Sequence, residues 1–158
     1  MLRVPLLKQQ TGYTCGPTCM QMLTRFYGKE VSWAEIIRAS KIDRNGMSNE
    51  DMVRALRKLR FIVHAKKRNT WKDLQENYRN RYPTIIAWML HGYIGHFSVV
   101  VAVNNTYIML ADPDTGRRRK LSKDVFMRLW FDYDDVFFPK RAKDLHLRWA
   151  ATIRGIRN

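Results

Sequence analysis

Apolar residues recur at helical spacing in the first half of the chain, and in the second half they alternate or run continuously. After an extended start, Gly16-Pro17 opens a helix, since a proline in the first turn loses no hydrogen bond. Cys19, Met20, Met22, Leu23, Phe26 and Tyr27 then repeat at helical spacing until Gly28 stops it. Three later helices carry their own start signals. Ser32 with Glu35 precedes Ile36 and Ile37, Ser48 with Asp51 precedes Met52, Leu56 and Leu59, and Thr70 with Asp73 precedes Leu74 and Tyr78. Phe61 to Val63 reads as a short strand and Thr84 to Leu90 as a buried one. His96 to Val103 and Tyr107 to Asp112 read as a hairpin turning at Asn104-Asn105-Thr106. Ser122 to Trp130 is either a helix or a short helix running into a strand, and Val136 to Phe138 is a further β segment ended by Pro139. Leu145, Leu147 and Trp149 alternate as on a strand. With no linker or repeat to divide it, the pattern predicts one α+β domain over residues 1–158 with an antiparallel sheet, its last part, 140–158, being a basic extension.

Charge narrows the partners. Twenty-nine Lys and Arg against fourteen Asp and Glu leave +15, which attracts acidic peptides, nucleic acid or anionic surfaces without choosing among them. The clusters Lys66-Lys67-Arg68, Arg117-Arg118-Arg119-Lys120 and Lys140-Arg141 read as solvated faces in preference to phosphate contacts. The longest apolar run, Phe97 to Val103, is seven residues with one serine, far short of the roughly 20 that span a bilayer. The N-terminus has no signal-peptide pattern, so a cytoplasmic protein is expected. Cys15 and Cys19 lie four apart. On a helix that places their Cβ atoms roughly 5–6 Å apart, too far for the roughly 3.8 Å of a disulfide.

Cys15 sits at the start of the first helix, where unpaired N–H groups and the helix dipole favour a charged, nucleophilic thiolate. Position alone leaves it either a nucleophile or one more small buried residue; Cys19, one turn on, belongs to the apolar face. A nucleophilic thiol needs a base and a group that orients the base, and the hairpin offers His96 and Asp112. Taken singly, these are also a satisfied strand histidine and an ordinary Asp-Pro turn residue. Hairpin parity decides whether they meet. A two-residue Asn104-Asn105 turn puts them on opposite faces, whereas a three-residue loop or a bulge, supplied by an asparagine in the left-handed conformation, puts them on one face, directly opposite or one diagonal step apart.

Several segments together carry a resemblance: Val4-Pro5-Leu6-Leu7-Lys8-Gln9-Gln10, Cys15-Gly16-Pro17, Gly46-Met47-Ser48-Asn49-Glu50-Asp51-Met52-Val53, Pro83-Thr84-Ile85-Ile86, Gly95-His96-Phe97-Ser98-Val99-Val100 and Ala111-Asp112-Pro113-Asp114-Thr115-Gly116. In order and spacing, over residues 4 to 139, the chain resembles the bacteriocin-processing peptidases that act on double-glycine leaders, a family of papain-like cysteine protease fold. The resemblance implies Cys15 as nucleophile, His96 as general base and acid, Asp112 as the group that fixes the imidazole, and Gln9, with Gln10 as its fallback, as oxyanion donor. It implies a peptide or protein substrate and no cofactor. Thr14 stands where many members have an acidic residue. The better-known members are fused to transport ATPases; this chain shows no Walker-type loop, so a standalone peptidase domain is expected. An acidic substrate is favoured by the charge.

Two other readings stay open. Cys15, Cys19, His91 and His96 have spacings within zinc-site ranges, which with the positive charge describes a zinc-stabilised nucleic-acid-binding module, although seventy-one residues separate the two pairs. The same Cys-His-Asp machinery also runs acyl transfer or deamidation, because all three pass through a thioester.

Overall fold

The computed structural model describes residues 1–134 and 139–157, so the β segment expected at 136–138 lies outside the described residues. The helices form where their start signals predict them, Gly16-Pro17 for α1 Cys15–Phe26 and the caps for α2 Trp33–Ser40, α3 Asn49–Lys58 and α4 Trp71–Arg79. The hydroxyls of Ser32, Ser48 and Thr70 accept from the backbone N–H groups of Glu35, Asp51 and Asp73, and Glu35 and Asp73 return the bond as full capping boxes. Each such cap is worth about 1 kcal/mol.

The main sheet contains β1 Phe61–Lys66, β2 Thr84–Leu90, β3 Ile94–Val103, β4 Tyr107–Asp112 and β5 Arg117–Ser122. After it, α5 Lys123–Leu129 runs through Trp130 into β6 Phe131–Tyr133, the second of the two arrangements read for this stretch. β6 pairs with β7 Leu145–Leu147, and β8 Ala150–Ile156 returns to the main sheet. The order β1-β8-β2-β3-β4-β5 is antiparallel at every pair. The stretch after Pro139 thus supplies a strand that lies inside the sheet, between β1 and β2.

Both faces of this sheet are covered, which explains the continuous apolar run of β2. Ile85 and Ala87 pack into a core with Met20, Leu23, Ile36 and Leu56 from α1, α2 and α3. The alternate residues Ile86, Trp88 and Leu90 pack with Trp71, Leu74, Phe126 and Trp130 from the α4 and α5 side. Among the described residues no helix is long and apolar enough to cross a membrane.

The β3–β4 hairpin solves its parity with a bulge, one of the two solutions the sequence allows, but places it in the strand and not at the asparagines. Near the turn Val103 pairs with Ile108, and the Asn104 N–H donates to the Tyr107 carbonyl at 3.1 Å, the register that would separate His96 from Asp112. A register shift between Val100 and Ala102 then inserts one extra residue, so that beyond it Val99 pairs with Ala111. His96 and Asp112 thereby come to one face as diagonal neighbours. Neither Asn104 nor Asn105 has a positive φ; the correction comes from a bulge at Val101 inside the strand. The Val101 carbonyl accepts the Leu2 N–H at 2.8 Å, which ties the extended N-terminus to the bulge.

Candidate active site

Cys15 opens α1 and is 8% exposed. The Thr14 hydroxyl is turned away from the helix, donating to the Thr11 carbonyl at 3.2 Å and accepting the Thr11 N–H at 3.1 Å. The first N–H groups of α1 therefore have no side-chain cap, and the positive end of the helix dipole falls beside the sulfur.

His96 joins this helix to the sheet. Its Nε2 lies 2.6 Å from Asp112 Oδ1, which leaves Nδ1 as the ring nitrogen available to Cys15, a neighbour near enough to act on the charge of the ring. The Trp88 ring packs against the imidazole with 5.9 Å between centroids. Burial works against the imidazolium, but the bond to Asp112 and the nearby Cys15 outweigh it and push the His96 pKa up to about 9. Asp112 is fully buried. Burial alone would raise its carboxyl, yet the bonds and charges of His96 and Arg119 hold it below the ordinary aspartate value. Oδ1 also receives the Asp114 N–H at 3.2 Å and the Ser98 hydroxyl at 3.4 Å, and Ser98 in turn accepts the Trp88 indole N–H at 3.1 Å.

Gln9 is half-buried and Gln10 exposed. The Gln9 backbone N–H donates to the Pro113 carbonyl at 2.8 Å, and its side-chain Nε2 donates to the Thr11 carbonyl at 2.8 Å. The segment thus lies against the turn that follows Asp112. Gly116 permits this approach: it has φ +66°, and a Cβ there would sit 2.8 Å from Lys8 Cβ and 3.1 Å from Lys8 N. Gly116→Ala is expected to cost about 1–3 kcal/mol, because both the backbone conformation and the contact are strained; the denaturation midpoint measures it. Cys19 is fully buried in the α1 core, where desolvation pushes its thiol well above the usual value.

Two sequence readings are corrected here. Arg119, read as part of a solvated basic run, turns its guanidinium inward, with Nε 2.5 Å from Asp112 Oδ2 and Nη2 3.3 Å from Asp114 Oδ2. The zinc reading also fails. His91 occupies an exposed turn, His96 is engaged by Asp112, and among the described residues no three His, Cys, Asp or Glu side chains gather into a metal site. Ser98 lies on the His96 face, as strand alternation implies, and Trp88, which the sequence did not single out, stands directly opposite His96 on β2.

A cleft of about 610 Å³ opens over Cys15 and His96, with Met47, Met89 and Ile94 among its apolar walls. Asp43, Asp51, Asp132 and Asp134 line it together with Lys41 and Arg44. Burial raises the Asp132 pKa to about 6.

Solved structures share this arrangement of helix and sheet. The peptidase domain of Streptococcus ComA, a bi-functional ABC transporter involved in quorum sensing, superposes with a TM-score of 0.73 at 23% identity, over 97% of this chain and 99% of that one. A double-glycine-motif protease from an AMS/PCAT transporter, solved in complex with the leader peptide, gives 0.70 at 18% identity, over 96% and 93% of the two chains. The fold is that of the papain-like cysteine peptidases. The sequence then fixes the family: residues 3–141 match the model of the Peptidase C39 family, and the chain belongs to it. It is a cysteine peptidase.

Among curated relatives, an uncharacterised protein of Methanothermobacter marburgensis is 28% identical over 125 residues, 79% of this chain and 82% of that protein. A lactococcin transport/processing ATP-binding protein of Lactococcus lactis is 29% identical over 117 residues. That match takes in 73% of this chain and 16% of the transporter.

Proposed function

We propose that the chain acts as one peptidase domain that hydrolyses a peptide bond in an extended peptide or protein segment, with Cys15, His96 and Asp112 as its triad. The observation that carries this reading is His96 bound to the buried Asp112 carboxylate, 2.6 Å away, in the same cleft as Cys15. His96 Nδ1 takes the thiol proton, and the sulfur attacks the scissile carbonyl carbon. The oxyanion meets the Cys15 N–H at the uncapped start of α1 and the Gln9 amide, whose Nε2 keeps one proton free of Thr11; one such donor is worth about 2.7–4 kcal/mol. On collapse the C–N bond breaks and the leaving amine takes the His96 proton, which leaves a thioester. Water then gives a proton to His96 and its oxygen to the acyl carbon, and the thiol is restored. Asp112 accepts the Nε2 proton's hydrogen bond throughout and keeps Nδ1 free to receive. Mass analysis of products tests the reaction: an acid and an amine whose masses sum to substrate plus water support hydrolysis, while transfer of the acyl group to an added amine favours the acyltransferase reading.

The leader peptide bound by the AMS/PCAT protease supports a peptide substrate here. Charge near the site is uneven. A second cavity, which shares Asn49 with the cleft, is lined by Arg54, Arg57 and Lys58 against the single acid Glu50, beside Val53, Ala65 and Trp149. An acidic substrate is thus drawn to the face beside the reaction centre and to the net +15 of the molecule. Raising ionic strength from about 0.01 to 0.15 M shortens the screening length from roughly 30 to 8 Å, and kcat/KM on an acidic peptide should fall severalfold through KM. A kcat/KM that does not move with salt rejects the acidic substrate.

A further inference from the structure

We infer that Arg119 is a positioning residue of this active site, the group that fixes the rotation of Asp112 so that one carboxylate oxygen faces His96. The inference rests on the triad reading above and goes beyond it. The two oxygens of Asp112 are served unequally. Oδ1 meets His96 Nε2, the Asp114 N–H and the Ser98 hydroxyl, whereas among the described residues Oδ2 is held by Arg119 Nε alone, at 2.5 Å. Asp112 is 0% exposed, so no solvent stands ready to replace that donor. The Arg119 side chain is itself largely covered, at 23% exposed, and its Nη2 grips Asp114 Oδ2 at 3.3 Å. One rigid fork therefore spans both carboxylates of the Asp112-Pro113-Asp114 turn.

Sheet register explains why this arginine, within a run of three, reaches inward. Leu110 pairs with Arg119 and Asp112 with Arg117, so Arg119 lies diagonal to Asp112 across β4–β5, as His96 does across β3–β4. Three strands thus place His96, Asp112 and Arg119 in line on one face. Arg117, directly opposite Asp112, is exposed, and Lys120 turns its ammonium over the Tyr107 ring, 4.2 Å from the centroid. The charged and titratable groups around Asp112 are then His96 from β3, Cys15 and Cys19 from α1, Asp114 from the turn, and Arg117 and Arg119 from β5. Removal of the Arg119 charge leaves Oδ2 buried without a donor, which favours either a rotated carboxyl or a protonated one. Either change takes the fixed acceptor away from His96 Nε2.

The test uses the full chain with Arg119→Gln and Arg119→Lys, and reads the rate of iodoacetamide labelling at Cys15 against pH, scored by peptide mass spectrometry on folded protein. Arg119→Gln should slow Cys15 labelling about tenfold at neutral pH, towards the level of His96→Ala, and move the acid limb of the profile to higher pH. Arg119→Lys, which keeps a cationic donor, should recover most of the rate. A folded Arg119→Gln protein with wild-type rate and profile overturns the inference, because a purely structural arginine would lower the melting temperature and leave both unchanged. If Arg119→Gln does not fold, NMR of the wild-type protein decides. The Arg119 Nε–H signal should be protected from exchange and shift as Asp112 titrates; fast exchange without that shift overturns the inference. Wild-type protein that labels readily at Cys15 yet cleaves no peptide counts against the peptidase mechanism and leaves the Arg119 result to stand or fall separately.

Discussion

Cys15→Ala is expected to reduce peptide cleavage by about 10⁵–10⁶-fold, to the background left by binding and oxyanion contacts alone. The side chain is small and 8% exposed, and its truncation removes one sulfur from the edge of the core, so stability should change by about 1 kcal/mol or less. Product mass spectrometry at matched folded concentration measures the loss. The control is Cys19→Ala, which deletes a sulfur one helical turn deeper at 0% exposure and should keep full turnover. A Cys15→Ala enzyme with even a hundredth of wild-type turnover would mean that another group makes the bond.

The second large effect is that of Asp112→Asn. Arg119 can only donate, so the asparagine oxygen is drawn to it and the amide N–H₂ is turned towards His96 Nε2. Nε2 must then accept, the ring proton moves to Nδ1, and the thiol loses its base; kcat should fall by about two to four orders of magnitude with KM little changed. The same substitution reshapes stability against pH. His96 has its pKa raised to about 9 in the folded protein against an ordinary 6.5, so the stability it contributes is complete below about 6.5 and disappears as pH rises through 9. Asp112 is shifted downwards, so its contribution is present above its ordinary value near 4 and disappears under more acid conditions. Wild type should therefore exceed Asp112→Asn in melting temperature most clearly between about pH 5 and 7; the gap should close in acid and narrow on the alkaline side to what the Asp112–Arg119 pair contributes. Equal melting curves across that range would show that the His96–Asp112 pair contributes nothing to the fold.

What the sequence discloses depends on the range of the interaction. Helix starts are local: Ser32 with Glu35 and Thr70 with Asp73 announce themselves within four residues, and each caps a helix in the structure. Cys15 at the first turn of α1 is legible for the same reason. The pairing of His96 with Asp112 required a parity correction, and its source was hidden. Val99-Val100-Val101 are three identical residues in a strand covered on both faces, so the apolar pattern is the same in either register and nothing marks Val101 as the bulge. β8 escaped because its first residues are small and its partners, β1 and β2, lie far back in the chain. Arg119 escaped because a run of like charges looks solvated until the strand pairing shows which alternate members face a buried carboxylate.

The measurement that tests the account most directly is the rate of iodoacetamide labelling of native wild-type protein and His96→Ala, with Cys15 and Cys19 scored separately. Rapid labelling is expected at Cys15, with at least about tenfold slower labelling once His96 is removed and protection of Cys19 until the fold opens. Equal rates at Cys15 with and without His96, or labelling confined to unfolded protein, would contradict it.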